Sequence, residues 1–246
     1  MTGIKRDRDG NARKPGDARG RFHDMFESFR DELDEHYDRK ERIVKASRDV
    51  TAQSKKIIFA LQRVKHINQD LPASTEKDIA SRMSDISKLL RSIAPDLQSL
   101  NRHRYAWQLR CLEELVEALS FAHYLRHQTL ITVEEAQEST PVSLTHGDYM
   151  YGVFDLFGEM MRFATVTSAQ NGEMLGGKDE RNILGDIQEL GCAFEMLEEV
   201  PGKEYRSKMD AMRQSVRKVE RLGYGLVVRG SERPRGWVPE DDGVEA

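Results

Sequence analysis

Residues 22–68 read FHDMFESFRDELDEHYDRKERIVKASRDVTAQSKKIIFALQRVKHIN, a stretch without Gly or Pro. Phe22, Phe26, Phe29, Leu33 and Tyr37 fall at i, i+4, i+7, i+11 and i+15, which paints one face of an α-helix. Val50, Ile57, Leu61 and Val64 carry the pattern on. The spacing predicts one helix of about 45 residues, about 65–70 Å long at about 1.5 Å per residue. A compact domain of this size cannot cover both ends of such a helix, so part of its apolar face is expected to be buried by a partner chain.

Leu71-Pro72 closes this element, and Ser74, Glu76 and Lys77 open a second helix predicted to run to Ile93. Pro95 either kinks that helix or begins the next. The segment Asp96–His127 is again free of Gly and Pro and reads as one helix. Thr132-x-x-Glu135 has the form of a capping box for a short helix closed by Thr140-Pro141. Helices over Asp148–Thr165, Asp179–Glu199 and Lys203–Leu222 follow, parted by Gly172, Gly176-Gly177 and Pro201-Gly202. No stretch alternates with period two. The fold class is all-α, a bundle of about seven helices with a long first helix.

Composition narrows the function. Charged residues make up 33% of the 246-residue chain and hydrophobic ones 38%, interleaved throughout, and no apolar run approaches membrane-spanning length. A protein that stays inside the cell and off membranes is expected. Cys111 and Cys192 sit among apolar neighbours, too few for a zinc site, and both read as reduced core residues. The net charge of −4 means that nucleic acid would be repelled unless basic residues cluster or a partner supplies them. Met1–Arg21 carries seven Lys or Arg against three Asp with almost no apolar side chains, and Glu240–Ala246 carries four carboxylates. The expected organisation is a disordered basic tail at 1–21, a helical domain at 22–232 and a flexible acidic tail at 233–246.

Two segments hold carboxylates at helical spacing. In RCLEELVEALSFAHY, residues 110–124, Leu112, Leu115, Val116 and Leu119 form one face, while Arg110, Glu114, Glu117 and Phe121 lie on the other. In DYMYGVFDLFGEMMRF, residues 148–163, Met150, Val153, Phe154, Phe157, Met160 and Met161 form a broad apolar face. Asp155 and Glu159 share the opposite side with Gly152 and Arg162. Each pair read alone is more often an ordinary solvated face than a site. Gly152 and Gly158 weigh against that reading, because each costs a helix about 1 kcal/mol relative to Ala and would let another helix or a substrate backbone come close. Joined across a helix pair, the four acids would make an all-oxygen site suited to Mg²⁺ or Mn²⁺. Periodicity does not establish that the two helices meet. A di-iron bundle would need Glu-x-x-His pairs, but Glu114 is followed at i+3 by Glu117 and Glu117 by Ser120. Upstream, Arg102, His103, Arg104 and Arg110 form a basic cluster able to grip phosphates, interleaved with Tyr105 and Trp107, aromatics able to stack on single-stranded bases. An exposed helix start with core aromatics would look the same.

FESFRDELDEHYDRKERIVKASRDVTAQSKKIIFALQRV at 26–64, LEELVEALSFAHYL at 112–125, DYMYGVFDLFGEMMRF and KVERLGYGLVVRGSERP at 218–234 resemble, in order, the translin family and its translin-associated X branch. The resemblance implies an all-α fold of seven helices that assembles with translin into a closed hetero-octamer. It implies a Mg²⁺-dependent endoribonuclease of cytoplasm and nucleus, acting on single-stranded RNA such as small-RNA passenger-strand and transfer-RNA precursor fragments; single-stranded DNA is a further expected ligand. The family's Glu-x-x-Glu-Ala pattern falls on Glu114 and Glu117 and its Asp-Leu-x-Gly-Glu pattern on Asp155 and Glu159. By that resemblance Glu114, Glu117 and Asp155 are catalytic, all four are metal ligands, and Arg102, His103, Arg104 and Arg110 bind nucleic acid. Translin lacks the paired glutamates, so they and the VRGSE ending at Val228–Glu232 place the chain in the X branch. Leu115 stands where the family pattern has tyrosine, and the loop between Thr132 and Thr145 is short. Lys5-Arg6 and Arg13-Lys14 have the form of a split nuclear-import signal. The competing reading is a non-catalytic scaffold that stabilises translin and helps bind nucleic acid.

Overall fold

The computed structural model describes residues 21–176, 181–198 and 200–229. The expectations about the two tails, the import signal and the Gly177–Asp179 boundary lie outside the described residues. Among the described residues the fold is all-α: eight α-helices and two 3-10 turns, with one isolated backbone bridge between Gly176 and Asn182. None of the helices is long and apolar enough to cross a membrane. The chain divides into two units, one ending at Arg42 and one beginning at Ile43, and helix α1 (His23–Leu61) contributes residues to both.

In the first unit, Phe22, Met25, Phe26, Phe29, Leu33 and Tyr37 are all exposed. Its polar side is laced by short-range pairs, His23 with Glu27 at 3.5 Å, Arg30 with Asp31 at 2.8 Å and Arg39 with Glu35 at 2.5 Å. Such exposed helix pairs contribute only a few tenths of a kcal/mol each, and the apolar stripe that the periodicity predicts is exposed.

In the second unit the same periodicity buries Ile43, Val50, Ile57 and Leu61. Helix α1 stops at Leu61, after 39 residues, short of the predicted 45 or so. The reason is tertiary: Val64, Ile67 and Leu71 are each buried, and a turn with Asn68 in the left-handed region (φ 56°) brings the chain back over the core. Asn tolerates that conformation better than other non-glycine residues. Helix α2 (Ala73–Ile93) buries Ile79, Ile86, Leu90 and Ile93. Its Glu76 accepts two 2.9 Å hydrogen bonds from Arg126 of helix α4 (Cys111–His127).

The single helix expected over Asp96–His127 is broken. A 3-10 turn at Ala94–Leu97, the short α3 (Asn101–Arg104) and a second 3-10 turn at Ala106–Leu109 precede α4. Ser99 adopts φ 53°, and Leu97, Arg102, Tyr105 and Leu109 are drawn inward, so local helix preference yields to tertiary anchoring. Helix α5 (Val133–Glu138) begins with the predicted capping box, the Thr132 amide donating to Glu135 at 2.8 Å and the Glu135 amide to the Thr132 hydroxyl at 3.2 Å. A second capping box, between Thr145 and Asp148, starts helix α6 (His146–Asn171), which Gly172 ends at φ 75°. Helices α7 (Ile183–Glu195) and α8 (Lys203–Arg229) complete the unit. Of the cysteines only Cys111 is buried; Cys192 is exposed on α7, contrary to expectation, because the buried side of that helix is carried by Ile183, Ile187, Gly191 and Phe194.

Helices α4 and α6 share the most extensive helix–helix contact. Gly152 permits it: a Cβ there would lie 2.6 Å from the Glu113 carbonyl oxygen and 2.6 Å from the Val116 Cβ. At the far end of α4 the buried Asp186 accepts hydrogen bonds from the Tyr124 hydroxyl at 2.8 Å, the Gln128 amide at 2.7 Å and Arg181 at 2.9 Å. This ties α4 to α7 and holds Gln128 in its left-handed capping conformation, φ 53°.

A carboxylate cluster between two helices

Neither helix has the solvated face that its charge spacing permits. On α4, Leu112, Leu115 and Val116 are fully buried, but so is Phe121, on the side of the glutamates. On α6, Leu156 is buried along with Val153, Phe154, Phe157 and Met160. Both helices are therefore enclosed, and their acids are partly enclosed with them. Glu117 is only 9% exposed and receives no hydrogen bond from any described residue.

The close approach at Gly152 brings Glu114 and Glu117 of α4 and Asp155 and Glu159 of α6 into one electrostatic field. Burial, then the charges of Asp155, Glu114 and Glu159, push the Glu117 carboxyl up to about 8. Glu114 is raised for the same reasons, chiefly burial, with Asp155 and Glu159 adding to it and Lys55 opposing. The neighbouring Glu113 is raised by burial too. Four carboxylates so placed, one of them desolvated and without a donor, need a cation in their midst to be fully ionised at neutral pH. As a hard, all-oxygen donor set they suit Mg²⁺ or Mn²⁺.

The acids of α6 are meanwhile held apart from a single coordination sphere. Lys208 of α8 donates to both Asp155 oxygens at 2.5 Å, and Gln62, just past the end of α1, donates to Glu159 at 2.9 Å. Lys55 lies 3.9 Å from Glu114. No three of the four carboxylates have ligand atoms mutually within 4.8 Å; among the described residues the one acid-and-histidine trio that does is His23, Asp24 and Glu27, in the first unit. Lys208, Gln62 and Lys55 were not foreseen from sequence. Each is one polar residue among many on its helix or turn, with no spacing to single it out.

The basic cluster divides. Arg102 is buried, donates to the Ser143 carbonyl at 2.9 Å and pairs with Asp148 at the start of α6. Its Nε and one terminal nitrogen lock α3 to the α6 cap, while the other terminal nitrogen is buried without a partner among the described residues, so burial sets Arg102 apart from the exposed members of the cluster. Tyr105 is likewise a core residue. His103 and Arg104 are exposed, as are Arg110 and Trp107. The Arg110 guanidinium lies 5.1 Å from the Trp107 ring centroid and pairs with Glu113 and Glu204. Gly158, expected like Gly152 to admit a close neighbour, has nothing within 4 Å of a built Cβ.

The family model described as Translin family matches residues 38–230, and the chain belongs to that family. The likeness extends to the X branch. The chain is 32% identical over 237 residues to Translin-associated protein X of Mus musculus, covering 85% of this chain and 80% of the mouse protein. It is 30% identical over 213 residues to the Translin-associated protein X homolog of Schizosaccharomyces pombe, covering 85% of this chain and 89% of that protein. Among solved structures, that of apo-NeC3PO shares the fold with a TM-score of 0.62 at 17% identity, over 82% of this chain and 96% of the other.

Proposed function

We propose that the chain is the catalytic subunit of a Mg²⁺-dependent endoribonuclease that works with translin on single-stranded RNA. The observation that carries the reading is Glu117, a buried carboxylate without a hydrogen-bond donor and flanked by three more acids. Bound among them, Mg²⁺ would activate water for in-line attack and offset charge developing on the phosphate. Glu114, Glu117, Asp155 and Glu159 would hold it. Glu117 keeps a proton near neutrality until a cation replaces it. Lys208 must yield Asp155, and Gln62 orients Glu159. The uncovered stripe of Phe22, Phe26, Phe29, Leu33 and Tyr37 supports a translin partner, as does the net charge of −4, which leaves much of the grip on RNA to another chain.

The test is cleavage of single-stranded RNA by the co-purified complex in Mg²⁺. EDTA should abolish it, and Glu117→Ala should leave the assembly intact and inactive. Full activity of that variant refutes the assignment. One observation favours a non-catalytic, translin-stabilising scaffold instead: the engagement of Asp155 by Lys208 and of Glu159 by Gln62, with no shared coordination sphere. Calorimetric titration separates the two readings, because a scaffold shows no Mg²⁺ or Mn²⁺ binding that the Asp155→Asn variant loses.

A further inference from the structure

Beside the carboxylates, in the second unit, lies a cavity of about 420 Å³ whose wall includes Glu114 and Asp155. Its other features are an exposed indole and three cations: Trp107, Arg48, Arg110 and Lys208. The indole is 71% exposed, an unusual fate for so large an apolar ring, and Arg110 covers only one side of it. Of the cations, Arg110 is committed to Glu113 and Glu204 and Lys208 to Asp155. Arg48 has no ion pair or hydrogen bond among the described residues. The cavity thus offers a free aromatic face and one uncommitted positive charge, with the acid cluster as its boundary.

We infer that this cavity is the subsite for one nucleotide of a single-stranded RNA, the base stacking on Trp107 and the phosphate taken by Arg48. The volume lies within the range that small ligands occupy, and base–aromatic stacking beside a cation is a sequence-tolerant way to hold a single strand. A strand seated here would pass directly to Glu114 and Asp155, which share the cavity wall. An apolar protein segment would satisfy the indole but leave Arg48 without an anion and bring apolar atoms against carboxylates, which is why RNA is the occupant argued for. The inference rests on the nuclease reading for its choice of strand, but its test does not require cleavage.

The full-length chain in complex with translin is irradiated, in EDTA, with an oligouridylate carrying one 5-iodouridine, and the crosslinked peptide is mapped by mass spectrometry. The expected crosslink is to Trp107. Trp107→Leu should abolish it and weaken binding about 5-fold or more, with no change in melting temperature, since the ring is exposed. Arg48→Gln should lower the slope of log affinity against log salt by about 0.7, the loss of one phosphate contact on a single strand. Crosslinks that bypass Trp107, or protection of Trp107 by the partner subunit with RNA excluded, overturn the inference. Because nothing is cut in EDTA, an active Glu117→Ala variant would refute the nuclease and leave this result standing.

Discussion

Gly152→Ala tests the packing on which the carboxylate cluster depends. The added Cβ would sit 2.6 Å from the Glu113 carbonyl oxygen and 2.6 and 2.7 Å from the Val116 Cβ and Cγ1. Ordinary contact begins at 3.4 Å, so α4 and α6 must separate locally by about 0.8 Å. Neither obstacle can rotate aside, one being main chain and the other the branch point of a fully buried valine. Overpacking of this kind costs about 1–3 kcal/mol, against which replacing Gly by Ala inside a helix returns about 1 kcal/mol. The net expectation is a loss of about 0–2 kcal/mol. Gly158→Ala is the internal control: it lies on the same helix with nothing within 4 Å of its Cβ, so only the helix-propensity gain applies, about 1 kcal/mol of stabilisation. Urea unfolding of both variants, metal-free and at one pH, should place them about 1–3 kcal/mol apart. Since Glu113 and Val116 flank the two glutamates and Gly152 lies one turn before Asp155, the same displacement should slow RNA cleavage by about 10- to 100-fold, with Gly158→Ala unaffected. Equal stability of the two variants would refute the account of how α4 and α6 are brought together.

Glu117→Gln should stabilise the metal-free protein increasingly as pH rises. The folded carboxyl is raised from 4.5 to about 8, so the folded state binds the extra proton; that stability is fully present below about pH 4.5 and is lost as pH climbs through 8. The variant carries no charge to be forced into ionisation, and its advantage should reach about 3 kcal/mol by pH 7 in urea titrations; a pH-independent difference contradicts the burial argument. Lys208→Met should tighten Mn²⁺ binding several-fold by calorimetry, since the ammonium at 2.5 Å from both Asp155 oxygens competes for that ligand; weaker binding would mean that Lys208 preforms the site. Arg102→Met should cost about 1–3 kcal/mol by thermal or urea unfolding, because it removes the ion pair and the bond to the Ser143 carbonyl while Asp148 keeps its bonds from the Thr145 amide and hydroxyl. Its RNA affinity, measured where the protein is still folded, should be unchanged; a large loss of affinity would restore Arg102 to the nucleic-acid surface.

What the sequence by itself determined about this chain is local. Thr132-x-x-Glu135 formed its capping box and Gly172 its helix stop, because such signals act within one turn of the backbone and need no distant neighbour. The i, i+3 and i, i+4 spacings likewise guaranteed that Glu114 with Glu117, and Asp155 with Glu159, would share a helix face. Everything that turns those pairs into a site was decided elsewhere. Uninterrupted helical patterning over Asp96–His127 did not reveal the break that draws Arg102 to Asp148, because the partner lies more than forty residues away. Gly152 and Gly158 look alike in sequence; only the crossing of α4 over α6 makes one indispensable and the other idle. Lys208, reaching Asp155 from α8, left no mark in any local pattern. Helix formation follows from neighbours along the chain, whereas the burial of Glu117, and with it the carboxyl's tighter hold on its proton, follows from which faces the tertiary structure closes over it.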